Sequence, residues 1–232
     1  MLFIKLILAH LLGDFIFQPN AWVADKEKKK AGSIYLYFHT LLHFALIMLL
    51  LWNLNLWWIA ALVAATHFLI DLAKLQYQKP KTKKNWFFMD QLLHIAVIAA
   101  ISLYVNHFDF SFINNSNFLK ILAGAVFVTV PSSIIVKTLI SSWTPVTPNP
   151  TSPQTESLAN AGKYIGILER LLVFIFIVVN HWEGVGFMIA AKSVFRFSDL
   201  AEAKQRKLTE YVLIGTLLSF GIAIVTGILV KI

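Results

Sequence analysis

Residues 34–52 read IYLYFHTLLHFALIMLLLW, an apolar run that carries His39 and His43. As a helix it is long enough to cross a hydrocarbon core of about 30 Å. Residues four apart share one helix face, so both imidazoles point the same way. Ionisable groups in a bilayer are costly and face a protein interior or a water-filled cavity. The run therefore reads as a spanning helix with a polar stripe turned inward.

Working outward, three more apolar segments carry the same signature. The first runs from about Leu2 to Gln18 and holds His10 and Asp14; Pro19 ends it. The third covers Leu56 to about Leu75 with His67 and Asp71, and the fourth Trp86 to Val105 with Asp90 and His94. Each pair is spaced i,i+4. Basic loops with Lys26 and Lys28 to Lys30, and with Lys79, Lys81, Lys83 and Lys84, alternate with a tight turn at Asn53 to Asn55. Beyond a polar stretch at 106–117, a fifth span, about Phe118 to Ser141, should kink at Pro131. A loop over 143–160 rich in Pro, Thr and Ser precedes a sixth span, Lys163 to Val179. Glu183 to Phe197 reads as a tilted span or re-entrant helix, and Leu208 to Val230 as the last span. The predicted fold is an all-α polytopic transmembrane helical bundle of about eight spans (seven to eight). It divides into a four-span bundle over 1–105 carrying the His/Asp groups and a second helical half over 106–232.

Composition agrees. Of 232 residues, 58% are hydrophobic and only 14% charged, too little polar surface for a soluble domain of this length. With no cysteine there is neither a disulfide framework nor a thiolate metal site. The net charge of +8 sits in short loops, which follows the positive-inside rule and argues for no nucleic-acid partner. Membrane lipids are the partners implied, through anionic headgroups beside those loops. Counting Lys and Arg places loops 19–33, 76–85, 142–162 and 198–207 on the cytoplasmic side and both termini outside. The first seventeen residues look like a signal peptide, but His10, Asp14 and the charge that follows them argue for a retained span.

Orientation converts the pairs into depths. Counting about 1.5 Å per residue from the cytoplasmic end of each span, all eight groups fall in one layer roughly 6–15 Å deep. Unrelated polar residues on antiparallel helices would scatter. His10, Asp14, His39, His43, His67, Asp71, Asp90 and His94 are therefore candidate ligands for one or two divalent ions, zinc foremost. Asp14, Asp71 and Asp90 are the candidate catalytic, proton-moving groups. So many imidazoles suit magnesium or manganese less well. In the second half Glu169, Arg170, Lys192, Arg196 and Glu210 come to similar depth and are candidate substrate-binding groups for a phosphate-bearing headgroup. Gly13 reads as permitting close helix approach beside Asp14, or as a plain packing glycine. Gln18 reads as an interfacial polar residue, and Trp57, Trp58 and Trp86 as interfacial anchors. His107 and His181 are assigned no role.

The string His10-Leu-Leu-Gly-Asp14-Phe15-Ile-Phe-Gln18 precedes His39, His43, His67-Phe-Leu-Ile-Asp71 and Asp90-Gln-Leu-Leu-His94. Together they resemble a family of bacterial membrane proteins, domain of unknown function 3307, over roughly the first 105 residues. Gly166 to Arg170, Lys192 to Phe197 and Glu210 to Thr216 look like the C-terminal half of longer members. The resemblance implies a bacterial cytoplasmic membrane and supplies no activity. A looser similarity, confined to short His-x-x-x-Asp motifs, links the chain to membrane-bound metal-dependent hydrolases, by analogy only. The leading expectation is a membrane-embedded metal-dependent hydrolase, acting from the cytoplasmic side on a lipid or lipid-linked phosphoester. One alternative is a proton or divalent-cation transporter or channel using the same groups as a transient site or relay. The other is a non-catalytic membrane scaffold whose metal or ion-pair network only fixes the bundle. Oligomeric state is left open.

Overall fold

A computed structural model describes residues 1–105, 117–143, 153–197 and 206–232, with the side chains of 153–161, 195–197 and 206–209 outside that description. Regular structure among the described residues is helical throughout. Helix α1 (Leu2–Leu11) runs straight into a π-turn at Leu12–Ile16. Then come α2 (Asn20–Lys29), α3 (Ile34–Leu51), α4 (Trp57–Tyr77) and α5 (Lys83–Val105). Helices α6 (Asn117–Val128), α7 (Val130–Leu139), α8 (Pro153–Val178), α9 (Trp182–Phe197) and α10 (Arg206–Lys231) follow. The chain forms two compact units, Met1–Ala123 and Gly124–Ile232.

In the first unit, α1, α3, α4 and α5 pack as a closed ring, each touching the next. Leucines cover the outside of this bundle: Leu41, Leu69 and Leu92 stay 60–62% exposed. The eight His and Asp groups face inward, all of them buried except the half-buried Asp14. This distribution, polar within and apolar without, inverts that of a soluble protein and suits a lipid surround. Beside the polar layer, Leu6, Ala9, Ile47, Ile59, Ala60, Val63 and Ile98 form an apolar core. That core fixes the ring and so fixes where the imidazoles can point.

Among the described residues, four helical stretches are long and apolar enough to cross a membrane: Ile34–Leu51, Leu54–Tyr77, Pro80–Val105 and Glu210–Lys231. The count rises to six if each of two bent pairs is one span. Length explains part of the difference from eight: α9 has 16 residues, about 24 Å of helix against a core of about 30 Å. In α8, Lys163, Glu169 and Arg170 interrupt the stretch expected to be the sixth span.

Residues 19–33, expected as a basic loop, are mostly helical: α2 and a short 3-10 turn at Lys30–Gly32 lie at 84° to α1. Pro19 caps α2 with φ −64° and brings no N–H, so the ladder of α1 ends there while a new helix starts. The stretch expected as the fifth span does bend, by 44° between α6 and α7. Pro131 cannot donate to Phe127, and the Ser132 hydroxyl takes that carbonyl instead at 2.7 Å.

Candidate metal centre

The centre is organised around Asp14. Its π-turn, closed by the Phe17 amide donating to the Leu12 carbonyl at 2.8 Å, inserts an extra residue into the helix end. Such insertions recur at functional sites because they re-aim a side chain. Here the Asp14 carboxylate meets α3 and α4. Its Oδ1 lies 3.0 Å from His43 Nε2, 3.2 Å from His39 Nε2 and 3.3 Å from His67 Nε2. The Nε2 atoms of His39 and His67 are 3.1 Å apart. Gly13 makes the approach possible: a Cβ there would fall 2.5 Å from His43 Cε1 and Nε2.

The eight predicted residues thus come together, but partners are exchanged between helices. Asp14 is closer to imidazoles of α3 and α4 than to its own-helix partner His10, whose Nδ1 is 3.9 Å from Asp14 Oδ2. His10 Nε2 instead lies 3.1 Å from Gln91 Oε1. Asp71 reaches His94 at 3.6 Å and His39 at 3.8 Å. His94 lies 3.4 Å from Asp90. The rings of His43 and His67 stack at 3.8 Å between centroids, and those of His67 and His94 at 3.9 Å.

Lys26, Lys74 and Gln91, given no place in the site by the sequence, complete it. Lys26 donates from α2 to Asp71 Oδ2 at 2.8 Å and is 4% exposed; it belongs to the supposed loop and is in fact buried. Lys74 donates to Asp90 Oδ2 at 2.7 Å. The Gln91 amide donates to Asp14 Oδ2 at 3.0 Å and to Asp90 Oδ2 at 3.3 Å, tying two carboxylates together. Helical spacing could have found two of these. Positions 67, 71 and 74 follow i, i+4, i+7 on one stripe, and 91 precedes 94 by one turn. Lys26 arrives only because Pro19 bends the chain. Removing one partner of a buried ion pair strands the other charge, at about 3–5 kcal/mol. Lys26→Ala should therefore lower the thermal midpoint of the metal-free protein sharply, and an unchanged midpoint would rule the pair out as a support.

On its outer side α2 is tied down by Ser33 donating to Asp25 at 2.6 Å and Lys83 to Glu27 at 2.5 Å, while Lys29 pairs with Asp25 within the helix at 2.7 Å. The Lys29 ammonium and Ser33 hydroxyl hold the Asp25 carboxyl below the usual carboxylate range. Its hold on α2 is present at neutral pH and is lost as pH falls through that depressed value.

The donor set suits a metal ion. Bonds of about 2.0–2.1 Å to a tetrahedral zinc would put neighbouring ligand atoms about 3.3–3.4 Å apart. The 3.0–3.3 Å separations around Asp14 come close to that edge. Ligand atoms of His10, Asp14, His43 and His67 lie within 4.8 Å of one another, as do those of His39, His67 and Asp71, and of Asp14, Asp90 and His94. A cavity of about 10 Å³ adjoins His10, His43, His67 and His94 and is bordered by Leu6 and Ile47. It is at the lower limit for a single water molecule.

Within the second unit, the residues expected to bind a headgroup have protein partners. Lys192 donates to Glu169. Arg170 donates to the carbonyls of Val128 at 2.5 Å and Thr129 at 3.0 Å, to Ser219 at 3.0 Å and to Ser133. Those carbonyls lie at the break between α6 and α7, where Thr129 O also accepts the Ser133 amide at 3.3 Å, so the guanidinium braces the break. A phosphate would have to displace them. Arg170→Met should cost about 2 kcal/mol or more by stranding buried acceptors, read as a lower unfolding midpoint. Glu210 lies exposed on α10, and the Arg196 side chain falls outside the described residues.

Residues 2–123 match the family described as Protein of unknown function (DUF3307), a stretch that coincides with the first compact unit. No curated protein matches the chain, and no solved structure does. The likeness to metal-dependent hydrolases thus rests on the short motifs alone.

Proposed function

The chain belongs to this family of proteins of unknown function, and from the geometry of its first unit we propose a membrane-embedded metal-dependent hydrolase. It acts from the cytoplasmic side on a lipid or lipid-linked phosphoester, in a bacterial cytoplasmic membrane crossed about eight times with both termini outside. The observation that carries the reading is one carboxylate oxygen, on Asp14, with three imidazole Nε2 atoms 3.0–3.3 Å from it. Three nitrogens and one oxygen favour zinc.

When bound, the metal supplies a water of lowered pKa. The chain's own groups hold the ligands and handle the proton. Gln91 orients Asp14 and Asp90 against each other. Asp90 Oδ1 has no hydrogen bond among the described residues and faces His94 Nε2 at 3.4 Å, so it can accept a proton without breaking one. One-sided access is supported by the apolar packing of Leu6, Ile47, Val63 and Ile98 beside the layer. The basic residues of α2 and of the 76–85 connection lie in sequence next to the polar ends of these helices, which supports a cytoplasmic site.

The test has two stages. Protein purified without added metal is analysed for elements, and phosphate release from a lipid phosphoester in mixed micelles is then followed. Wild type should hold metal and release phosphate, and Asp90→Asn should keep the metal while losing at least about 100-fold in turnover. Metal-free wild type that titration cannot restore would sink the reading. Gradient-driven cation flux in proteoliposomes, with no lipid turnover, would replace it with transport.

A further inference from the structure

We propose that Lys26 and Lys74 stand, as fixed cations, in the place of a second metal ion and hold the centre to one. The inference rests on the metal reading above and decides what that reading leaves open, the number of ions.

The donor set for a second ion is present. Asp90 Oδ1 and His94 Nε2 lie 3.4 Å apart, and Asp71 Oδ1 is 3.6 Å from the same nitrogen. Asp90 is 2% exposed and His94 3%. Neither Asp90 Oδ1 nor His94 Nε2 has a hydrogen-bond partner among the described residues. These separations resemble the about 3.3–3.4 Å ligand edge of a tetrahedral ion. Geometry alone would therefore admit two ions, one at Asp14 and one at His94.

Charge decides against the second. The outer oxygens of Asp71 and Asp90 already carry ammonium groups at 2.8 and 2.7 Å. Lys26 and Asp71 have side chains only 6% and 8% exposed, and Asp90 only 1%, so water screens these charges little. With neutral imidazoles, three carboxylates and two ammoniums leave the layer at minus one. One divalent ion brings it to plus one. A second would bring it to plus three in a setting where isolated charge is expensive. Each added ion would also sit within a few ångströms of a fixed positive group bound to its own ligand.

The two lysines come from separate elements, α2 and α4, yet each takes one oxygen of one carboxylate and leaves the other facing His94. A lysine that merely oriented a ligand would be replaceable by any donor. A lysine acting as a resident cation is replaceable only by another cation or by a metal.

The experiment counts ions in the full-length protein in detergent, titrated with zinc chloride, desalted and measured by inductively coupled plasma mass spectrometry. Wild type should hold one ion per chain. The Lys26→Met/Lys74→Met variant should hold two, and Lys26→Arg/Lys74→Arg should hold one. The Met variant is purified with zinc present, so that loss of the ion pairs does not unfold it. The single variant Lys26→Met gives a second measure: its second ion should bind at least tenfold tighter than any second ion on wild type. Two ions on wild type, or one on the double Met variant with its helical circular dichroism intact, would overturn the lysine assignment and leave the metal reading standing. No ion on any of the proteins would overturn both.

Discussion

Alanine at Asp14 should yield a folded protein that no longer retains metal through purification. Asp14 Oδ1 is the one atom near all three imidazoles, at 3.0, 3.2 and 3.3 Å. Its removal leaves His39, His43 and His67 with no anion between them and leaves the Gln91 amide only Asp90 to donate to. Changes to groups that only orient a ligand commonly cost 10–100-fold in affinity, and losing a ligand costs more. The dissociation constant should rise at least about 100-fold, near 2.7 kcal/mol. Competition with a chromogenic chelator reads this directly. Asp14→Asn keeps the shape and the hydrogen bond to Gln91 but removes the charge, so it should fall between wild type and alanine. Wild-type metal content in Asp14→Ala would remove Asp14 from the centre.

The second large effect comes from a residue with no functional group. Gly13→Ala would put a methyl 2.5 Å from His43 Cε1 and Nε2, inside any tolerable contact. The ring has little room to retreat, because His67 stacks on it at 3.8 Å and His94 stacks on His67 at 3.9 Å. Overpacking of this kind costs about 1–3 kcal/mol. For a chain of this size that is a midpoint lowered by roughly 2–12 °C. The imidazole should also leave Asp14, so metal affinity falls with stability. His43→Ala removes the clashing ring, and on that background Gly13→Ala should cost almost nothing in stability. That non-additivity separates a clash at His43 from a general loss of helix packing. Additive losses would show that Gly13 acts elsewhere.

The four inward stripes were legible because i,i+4 spacing is a property of one helix, and each stripe lies within one. What the helices do to one another was not. Spacing pairs Asp14 with His10, yet the π-turn turns Asp14 toward α3 and α4, and local sequence does not announce an extra residue in a turn. In sequence Lys26 is one of a short basic run with Lys28, Lys29 and Lys30 after Pro19, which reads as a loop. The bend at Pro19 lays α2 against the polar layer, and on that helix Lys26 takes the inward face while Lys28 and Lys29 take the outer one. Arg170 looked like a headgroup ligand because a buried arginine implies an anion; the broken helix supplies carbonyls instead. The number of crossings is less legible: among the described residues four to six stretches qualify, and α9, with 16 residues, has the composition of a span without its length.

The Lys26–Asp71 bond also has a consequence for how the chain is made. The partners are 45 residues apart, and synthesis delivers the lysine first. Until α4 has emerged Asp71 is not there for that ammonium to meet, and a lysine beside a nascent span helps to orient it from the aqueous boundary, as any flanking lysine does. Its later descent makes topology and interior two successive uses of one side chain. On that order, insertion of the early helices would precede closure of the polar layer, and the two would be separable steps.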